Sequence, residues 1–199
     1  MKRILHLISS PRGPESLSIK LAEATISKIQ QQYPGSIVDT VDLIKTNVPH
    51  LDTAHLRSFY TPAAQLTPED QDAIEYSDQA ISQLIAADII VIGAPLYNFG
   101  IHSSLKAWID HIARAGKTFS YSEKGPEGLV KNKKVYIAMS SGAVYSEGMY
   151  KAYDFVSGYL TSVLGFMGMT DLTVFRVEGV NIPELKEGAL DRAIESIVL

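Results

Sequence analysis

Three groups of residues that could take part in chemistry each follow a short apolar run of this 199-residue sequence. Ser10, Ser16 and Ser18 supply hydroxyl groups near the expected start of a helix, where free N–H groups and a partial positive charge favour a phosphate. Leu96–Phe99 bring two aromatic rings and one amide, which suit a flat heteroaromatic ring. Ser140–Ala143 are small, so their backbone N–H groups could meet the polar edge of such a ring. Together the three groups predict a site for a phosphate-bearing heteroaromatic ligand.

Taken singly, each group also has an ordinary structural explanation. Serines before a helix commonly cap it, loop aromatics can fill gaps in a core, and Ser140–Ala143 can form a plain turn. The first group contains neither the GxxxxGK[ST] nor the GxGxxG phosphate-binding pattern. The prediction therefore depends on the fold bringing the three groups together.

The segment from Asp88 to Gly100 indicates how one group is positioned. Ile89–Ile92 is a short β-branched run, typical of a strand that is buried on both faces. Because Pro95 has no N–H to donate, we expect the chain to leave the sheet between Ile92 and Gly100. A helical pattern follows at once, with one apolar face formed by Ile101, Leu105, Trp108, Ile109 and Ile112. In open α/β sheets, ligands bind beyond the carboxyl ends of the strands, which is where Leu96–Phe99 would lie.

Strands and helices alternate along the whole chain. The predicted strands are Ile4–Ile8, Ile37–Leu43, Ile89–Ile92, Lys134–Met139 and Leu172–Val177. The five predicted helices begin near Ser16, at Pro68, after Gly100, near Tyr150 and at Pro183. The second has Thr67 as its cap and a predicted buried stripe of Ile74, Ser77, Ile81, Leu84 and Ile85, and the last continues to Val198. This alternation predicts an α/β fold with a parallel, doubly wound sheet. The expected strand order is 2-1-3-4-5, the flavodoxin-like arrangement with helices on both faces, and it would place all three groups on one edge of the sheet.

Composition and charge limit the function further. The length fits one domain, 1–199. The net charge of −4 gives no reason to expect a nucleic-acid partner, and no apolar run approaches a membrane span. The absence of cysteine excludes disulfides and thiolate chemistry, and the five histidines show no metal-binding spacing. We expect a cytoplasmic enzyme without a metal.

Longer motifs give a specific resemblance. The chain resembles the FMN-dependent NADH-azoreductase family, within the flavodoxin-like NAD(P)H:quinone oxidoreductases. The residues that carry the resemblance are Ser9-Ser10, Ser16–Ser18, Ala94–Phe99, Leu105-Lys106, Asp110, Ala113–Phe119 with Tyr121, Gly125–Leu129, Tyr159-Leu160 and Leu164–Gly168. The chain departs from the family pattern at Ser141 and Ala143, where an arginine or a second glycine is common, and at Val144, where some members have histidine.

The resemblance implies bound FMN, with NADH or NADPH as the electron donor and a quinone or azo compound as the acceptor. It implies these cofactor-binding residues: Ser10, Ser16, Leu17, Ser18, Leu96, Tyr97, Asn98, Phe99, Ser140, Ser141, Gly142 and Ala143. It also implies that Phe119 and Tyr121 lie near the substrate. The flavin carries the chemistry, so no side chain is assigned as an acid or base. A single pocket used by donor and acceptor in turn predicts ping-pong kinetics.

Two other functions are compatible with the same fold. A flavodoxin-type electron carrier would need no small-molecule acceptor, and the modest charge and the segment Lys117–Asn132 argue against it. A phospho-receiver would need acidic residues after the first and third strands, where this chain has Ser9-Ser10 and Gly93-Ala94. A serine hydrolase is disfavoured because no GxSxG motif is present.

Two segments outside the regular βα units predict a homodimer with active sites at the interface. Thr46–Pro62 shows no clear period and is read as a long loop, and Lys117–Asn132 is polar and contains glycine. They carry large apolar residues that a core of this size has little room for: Leu51, Leu56, Phe59, Tyr60, Phe119 and Tyr121. Two-fold pairing is the commonest oligomer, and the resemblance implies the same arrangement.

Overall fold

The computed structural model describes residues 1–199 and contains a parallel sheet in the order β2-β1-β3-β6-β7. Its strands are β1 (Arg3–Ile8), β2 (Ile37–Asp42), β3 (Ile89–Pro95), β6 (Lys134–Ser140) and β7 (Asp171–Val177). Each of the predicted strands is present, and the predicted 2-1-3-4-5 order of the core is confirmed.

Helices cover both faces of the sheet. They are α1 (Leu17–Gln32), α2 (Thr53–Tyr60), α3 (Pro68–Ala86), α4 (Ser103–Ile112), α5 (Phe155–Phe166), α6 (Pro183–Lys186) and α7 (Ala189–Glu195). Helices α3, α4 and α5 pack on one face through residues such as Leu84, Trp108 and Leu160, and α1 and α7 pack on the other. None of the helices combines the length and apolar composition that a bilayer crossing requires.

The strand that contains Pro95 is longer than predicted. β3 continues through Pro95, which lies opposite Ser140, and the Leu96 N–H still donates to the Ser140 carbonyl at 2.8 Å. The backbone N–H groups of successive residues in a strand point to opposite neighbouring strands. Because the Leu96 N–H points to β6, the position of the missing Pro95 N–H faces the β1 side, where pairing has already ended at Ile8 opposite Gly93. The proline therefore removes no ladder bond, and the expectation that it ends the strand was wrong.

Both irregular segments contain regular structure. Within Thr46–Pro62, α2 begins after Asp52, whose carboxylate accepts the His55 N–H while the His55 ring accepts the Asp52 N–H. Within Lys117–Asn132, β4 (Phe119–Ser122) and β5 (Gly125–Gly128) form an antiparallel hairpin. A capping pair and a hairpin this short leave little periodic signal in a sequence.

Three helix predictions also need correction. The helix expected from Tyr150 begins at Phe155, because Asp154 is its N-cap and residues Gly148–Tyr153 form a 3₁₀ turn. The closing helix is two helices, separated at Gly188 by a left-handed backbone with φ of 67°. On α3, Ile85 is exposed rather than part of the buried stripe.

Candidate functional site

The three groups converge on one cavity at the carboxyl edge of the sheet. This cavity has a volume of about 240 Å³ and lies between the loops that follow β1, β3, β6 and β7. The predicted site residues that line it are Ser10, Ser16, Leu17, Leu96, Tyr97, Ser140, Ser141 and Gly142. The convergence follows from the parallel sheet, which brings the carboxyl ends of neighbouring strands to one edge.

One end of the cavity is formed by the first turn of α1. Ser16 is the N-cap of this helix, and its hydroxyl oxygen accepts the Ile19 N–H at 3.5 Å, a long bond that leaves the oxygen available to a ligand. The N–H groups of Leu17 and Ser18 have no acceptor within the chain. Ser18 is fully buried behind Ser16, with the two hydroxyl oxygens 3.0 Å apart, so it supports Ser16 rather than lining the cavity.

Arg12 is a lining residue that the sequence analysis did not single out. Its backbone N–H donates to the Ser10 hydroxyl at 3.4 Å, and its guanidinium makes no ion pair within the chain. A guanidinium, two hydroxyls and free helix N–H groups are the donor set that a phosphate dianion requires. The available signal was a cation two residues after Ser10 in a loop at the end of a strand.

The second loop forms a tight turn beside the cavity. The N–H groups of Tyr97 and Gly100 each donate to the other residue's carbonyl, at 3.0 and 2.9 Å. Asn98 and Phe99 between them are left-handed, with φ of 48° and 68°, a conformation that non-glycine residues rarely adopt. The Asn98 N–H has no acceptor within the chain, and the buried Tyr97 hydroxyl has no partner either. The turn therefore leaves the Asn98 N–H unpaired at a residue that lines the adjoining groove, and the Tyr97 hydroxyl unpaired at a residue that lines both the groove and the cavity.

The third loop is held by the segment after β7. The Ser141 N–H donates to the Val177 carbonyl and the Gly142 carbonyl accepts the Asn181 N–H, both at 2.9 Å. A Cβ at Gly142 would lie 2.5 Å from the Asn181 side-chain nitrogen, so a larger residue at this position would have to displace the Asn181 side chain. The Gly142 N–H remains free. Val180 and Asn181 complete the cavity wall and were missed, because nothing in their own sequence connects them with a site.

A larger groove of about 940 Å³ adjoins the second loop, between the start of α4 and α5. Tyr97 lines both spaces, and Asn98 lines the groove. Burial lowers the pKa of His102, which therefore stays neutral near pH 7; its Nδ1 accepts the Ser104 N–H, leaving the proton on Nε2. Lys106 is neutralised by Asp110 through two contacts of 2.6 and 2.7 Å. The groove thus offers aromatic surface and neutral hydrogen-bonding groups beside the turn.

Some predicted residues lie away from both spaces. Ala143 lines neither, and its carbonyl accepts the Ser141 hydroxyl at 2.8 Å. Phe99 is exposed and contacts Tyr153, with ring centroids 5.4 Å apart. Phe119 and Tyr121 lie on the hairpin, which follows the far end of α4. Ten helical residues span about 15 Å, and neither of these two rings lines the cavity or the groove of its own chain.

Comparison with known proteins gives the family. The family described as "Flavodoxin-like fold" matches residues 2–198. An FMN-dependent NADH:quinone oxidoreductase of Herminiimonas arsenicoxydans is 49% identical over 180 residues, covering 90% of this chain and 88% of the relative. One from Agrobacterium fabrum is 46% identical, covering 97% and 95%. The chain belongs to this family of flavodoxin-like oxidoreductases.

Solved structures of the family have the same fold. An azoreductase from Bacillus anthracis str. Sterne superposes with a TM-score of 0.91 at 31% identity, covering 98% of this chain and 96% of the other. An FMN-dependent NADH-azoreductase from Bacillus anthracis str. Ames Ancestor, solved in complex with FMN, gives a TM-score of 0.86 at 27% identity, covering 98% and 97%. The resemblance stated from the sequence motifs is therefore confirmed.

Proposed function

We propose that this chain is an FMN-dependent NAD(P)H:quinone oxidoreductase whose residues 1–199 form one FMN-binding domain. The observation that carries the proposal is the donor set at one end of a cavity formed by all three loops. Names of relatives that are 49% and 46% identical support the cofactor and the reaction class. Because reduced nicotinamides are cytoplasmic compounds, the proposal also places the protein in the cytoplasm.

The cofactor assignment follows the geometry. Ser10, Ser16, the Leu17 N–H and Arg12 would hold the phosphate, with Ser18 supporting Ser16. Leu96 and Tyr97 would lie against the ring, and Ser140, Ser141 and Gly142 near its polar edge. FMN, when bound, takes hydride from NADH or NADPH and passes the reducing equivalents to an acceptor. The chain's contribution is to place the ring and to offer N–H donors at Asn98 and Gly142 toward developing negative charge.

The acceptor class and the order of events complete the proposal. The groove of about 940 Å³ beside the turn has room for a quinone or an aromatic azo compound, which an electron carrier would not need. If donor and acceptor occupy this one space in turn, the donor must leave before the acceptor enters. Initial rates at several fixed acceptor concentrations should then give parallel double-reciprocal lines; intersecting lines would show a ternary complex instead.

A homodimer with active sites at the interface is also part of the proposal. The segments outside the βα units supply part of the free apolar surface that their sequence suggests, since Leu56, Tyr60 and Tyr121 are exposed. Phe119 instead packs on Phe166 at 4.6 Å between centroids, and Arg114 covers Phe59 at 4.5 Å. Helix α5 adds to this free apolar surface, since Phe155 on its outer side is exposed. Tyr121, 71% exposed and remote from its own site, could close the site of a second copy.

Ser16→Asp tests the cofactor assignment. Aspartate is as good an N-cap as serine, so the stability of α1 should be retained. Its carboxylate, however, would repel the FMN phosphate, and we expect the dissociation constant for FMN to rise about tenfold or more, measured by quenching of flavin fluorescence. Riboflavin, which lacks the phosphate, is the matched control and should bind both proteins equally. An equal loss of affinity for FMN and riboflavin, or no loss of affinity for FMN, would refute the assignment of the phosphate site.

A further inference from the structure

Residues 147–153, which we call the aromatic turn, connect the third loop to α5 and are not used by the cofactor assignment. They contain the 3₁₀ turn Gly148–Tyr153. Met149, Tyr150 and Tyr153 are exposed, although all three are large. An exposed run of this kind needs external anchors, because a single 3₁₀ turn is not stable by itself.

The entrance to the aromatic turn is anchored by Glu178, which follows the last residue of β7. One of its carboxylate oxygens accepts two backbone N–H groups, from Tyr145 at 2.7 Å and from Ser146 at 2.9 Å. The Glu178 side chain is only 13% exposed. These charge-assisted bonds fix the direction in which the chain leaves the third loop.

The exit is anchored by Arg176, two residues earlier on β7. Its guanidinium donates to the Asp154 carboxylate at 2.8 Å, and that carboxylate also accepts the Val156 and Ser157 N–H groups at 3.1 and 2.9 Å. Although burial opposes ionisation, these hydrogen bonds and the guanidinium lower the pKa of Asp154. Because Arg176 and Glu178 are separated by one residue, their side chains lie on the same face and form one clamp with 3.8 Å between them.

The clamp holds the aromatic turn against the groove. The Phe155 N–H donates to the Phe99 carbonyl at 3.2 Å, and the Tyr153 ring contacts the Phe99 ring. Asp154 and Phe155 line the large groove together with Asn98. The aromatic turn is therefore placed beside the part of the site that the proposed function assigns to the acceptor.

We propose that Arg176 and Glu178 are positioning residues that hold the two ends of the aromatic turn, fix Asp154 and Phe155 in the wall of the acceptor pocket, and so set the size of acceptor that the protein uses. This inference rests on the proposed function. Neither residue lines the cavity or the groove, and residues 147–153 do not line them either, so the effect on an acceptor passes through Asp154 and Phe155, which follow the aromatic turn and line the groove. A one-ring acceptor near the second loop would not depend on the wall, whereas a two-ring acceptor would contact it.

Three variants separate the anchors. Arg176→Met removes the guanidinium but keeps an unbranched apolar chain, and Glu178→Ala removes the acceptor for the Tyr145 and Ser146 N–H groups. Glu178→Gln keeps an acceptor oxygen and serves as the conservative rescue. The matched control is Arg3→Met, since Arg3 also makes a 2.8 Å ion pair, with Asp39, but at the amino end of the sheet.

The first measurement is hydrogen exchange on the FMN-loaded protein. We expect faster exchange confined to residues 145–155 in Arg176→Met and Glu178→Ala, with exchange close to that of the unchanged protein in Glu178→Gln and Arg3→Met. Unchanged exchange in the first two variants would overturn the clamp. Exchange that rises throughout β7 would also overturn it, because the two residues would then be general supports of the sheet.

The second measurement is steady-state reduction of a one-ring benzoquinone and a two-ring naphthoquinone. We expect the KM for the naphthoquinone to rise about tenfold in Arg176→Met and Glu178→Ala, with the benzoquinone KM and the rate of reduction by NADH unchanged. Equal changes for both quinones would overturn the positioning role alone. If the protein without substitutions binds FMN but reduces neither quinone, the proposed function is wrong, and the proposed role of Arg176 and Glu178 in acceptor choice is wrong with it.

Discussion

At the scale of single residues, the site is marked by polar groups that the chain leaves without partners. The N–H groups of Leu17 and Gly142 lack acceptors at the cavity, and that of Asn98 lacks one at the adjoining groove. None of these three residues is buried, so water can satisfy their N–H groups; the buried Tyr97 hydroxyl, which also has no partner and whose residue lines both spaces, is the group that indicates a ligand. Some buried polar side chains elsewhere are satisfied locally, as the Thr25 hydroxyl is by donating to the Leu21 carbonyl at 2.8 Å, whereas His6, Tyr76 and His111 each keep one buried atom without a partner.

His6 is an unpartnered residue outside the site, and it predicts acid sensitivity. It lies in β1 between Thr40 and Val91, is buried, and has no partner for Nε2. Burial lowers its pKa from 6.5 to about 4. The His6 ring therefore binds a proton more tightly in the unfolded chain than in the folded one. The contribution of neutral His6 to the free energy of unfolding is complete above pH 6.5 and is lost as the pH falls toward 4.

The measurement is urea unfolding of the unchanged protein and of His6→Val between pH 6.5 and 5. The free energy of unfolding should fall by about 2 kcal/mol more in the unchanged protein, as expected for one group with this difference in pKa. Carboxylates that titrate in the same range affect both proteins and cancel in the comparison. Parallel curves for the two proteins would show that His6 is protonated in the folded state as easily as in the unfolded one.

At the scale of elements, close backbone contact decides where the hairpin lies. Gly128 at the end of β5 packs against the residues that follow α5, and the Val130 N–H donates to the Met167 carbonyl at 2.9 Å. A Cβ at Gly128 would overlap the backbone of Met167 and Gly168. The two backbones can approach this closely only because neither Gly128 nor Gly168 has a side chain.

Gly128→Ala should therefore lower the free energy of unfolding by about 1–3 kcal/mol, the range for overpacking in a dense region. Gly165→Ala, on α5 near the same junction, is the control because a Cβ there meets nothing within 4 Å. That substitution should leave stability unchanged or raise it by up to about 1 kcal/mol through helix propensity. Urea titrations of both variants decide between these outcomes; a Gly128→Ala protein as stable as its parent would show that the junction is loosely packed.

At the scale of the whole molecule, the position of the hairpin bears on the proposed assembly. Tyr121 is at the far end of α4 from its own site, and α5 leaves Phe155 exposed beside the groove. A two-fold arrangement in which α4 and α5 of two copies face one another could bring each hairpin toward the other copy's groove. Light scattering should then give about twice the mass of the 21.8 kDa chain.

Complementation tests whether the sites are shared. Ser16→Asp would damage the FMN site of its own chain, and Tyr121→Ala would damage the site of the other copy. Each homodimer should be weakly active, whereas co-expressed chains form mixed dimers with one intact site. We expect about half of the unchanged activity per chain, measured on mixed dimers that are isolated with two affinity tags. Activity no higher than the mean of the two homodimers would mean that each site is contained in one chain.

The sequence by itself determined the sheet, its strand order and the loops that could meet a ligand. Short β-branched runs specify buried parallel strands, and the right-handed crossover rule limits how those strands can be arranged. The helix N-caps could also be predicted from the sequence, since the Ser16 and Thr67 hydroxyl oxygens accept N–H groups only three residues away. The carboxyl-edge location of Ser10, Leu96–Phe99 and Ser140–Gly142 followed from the same topology.

Only the tertiary structure decided how those loops are completed. Asn181 against Gly142, Arg176 against Asp154 and Gly128 against Gly168 join positions that are more than twenty residues apart in the chain. Such contacts depend on loop conformations selected jointly by both partners, and no periodic pattern records them. The burial of Ser18 behind Ser16 and the presence of Pro95 within a strand were likewise decided by tertiary contacts. Each depends on which neighbouring group faces the Ser18 hydroxyl or the Pro95 nitrogen in the folded chain.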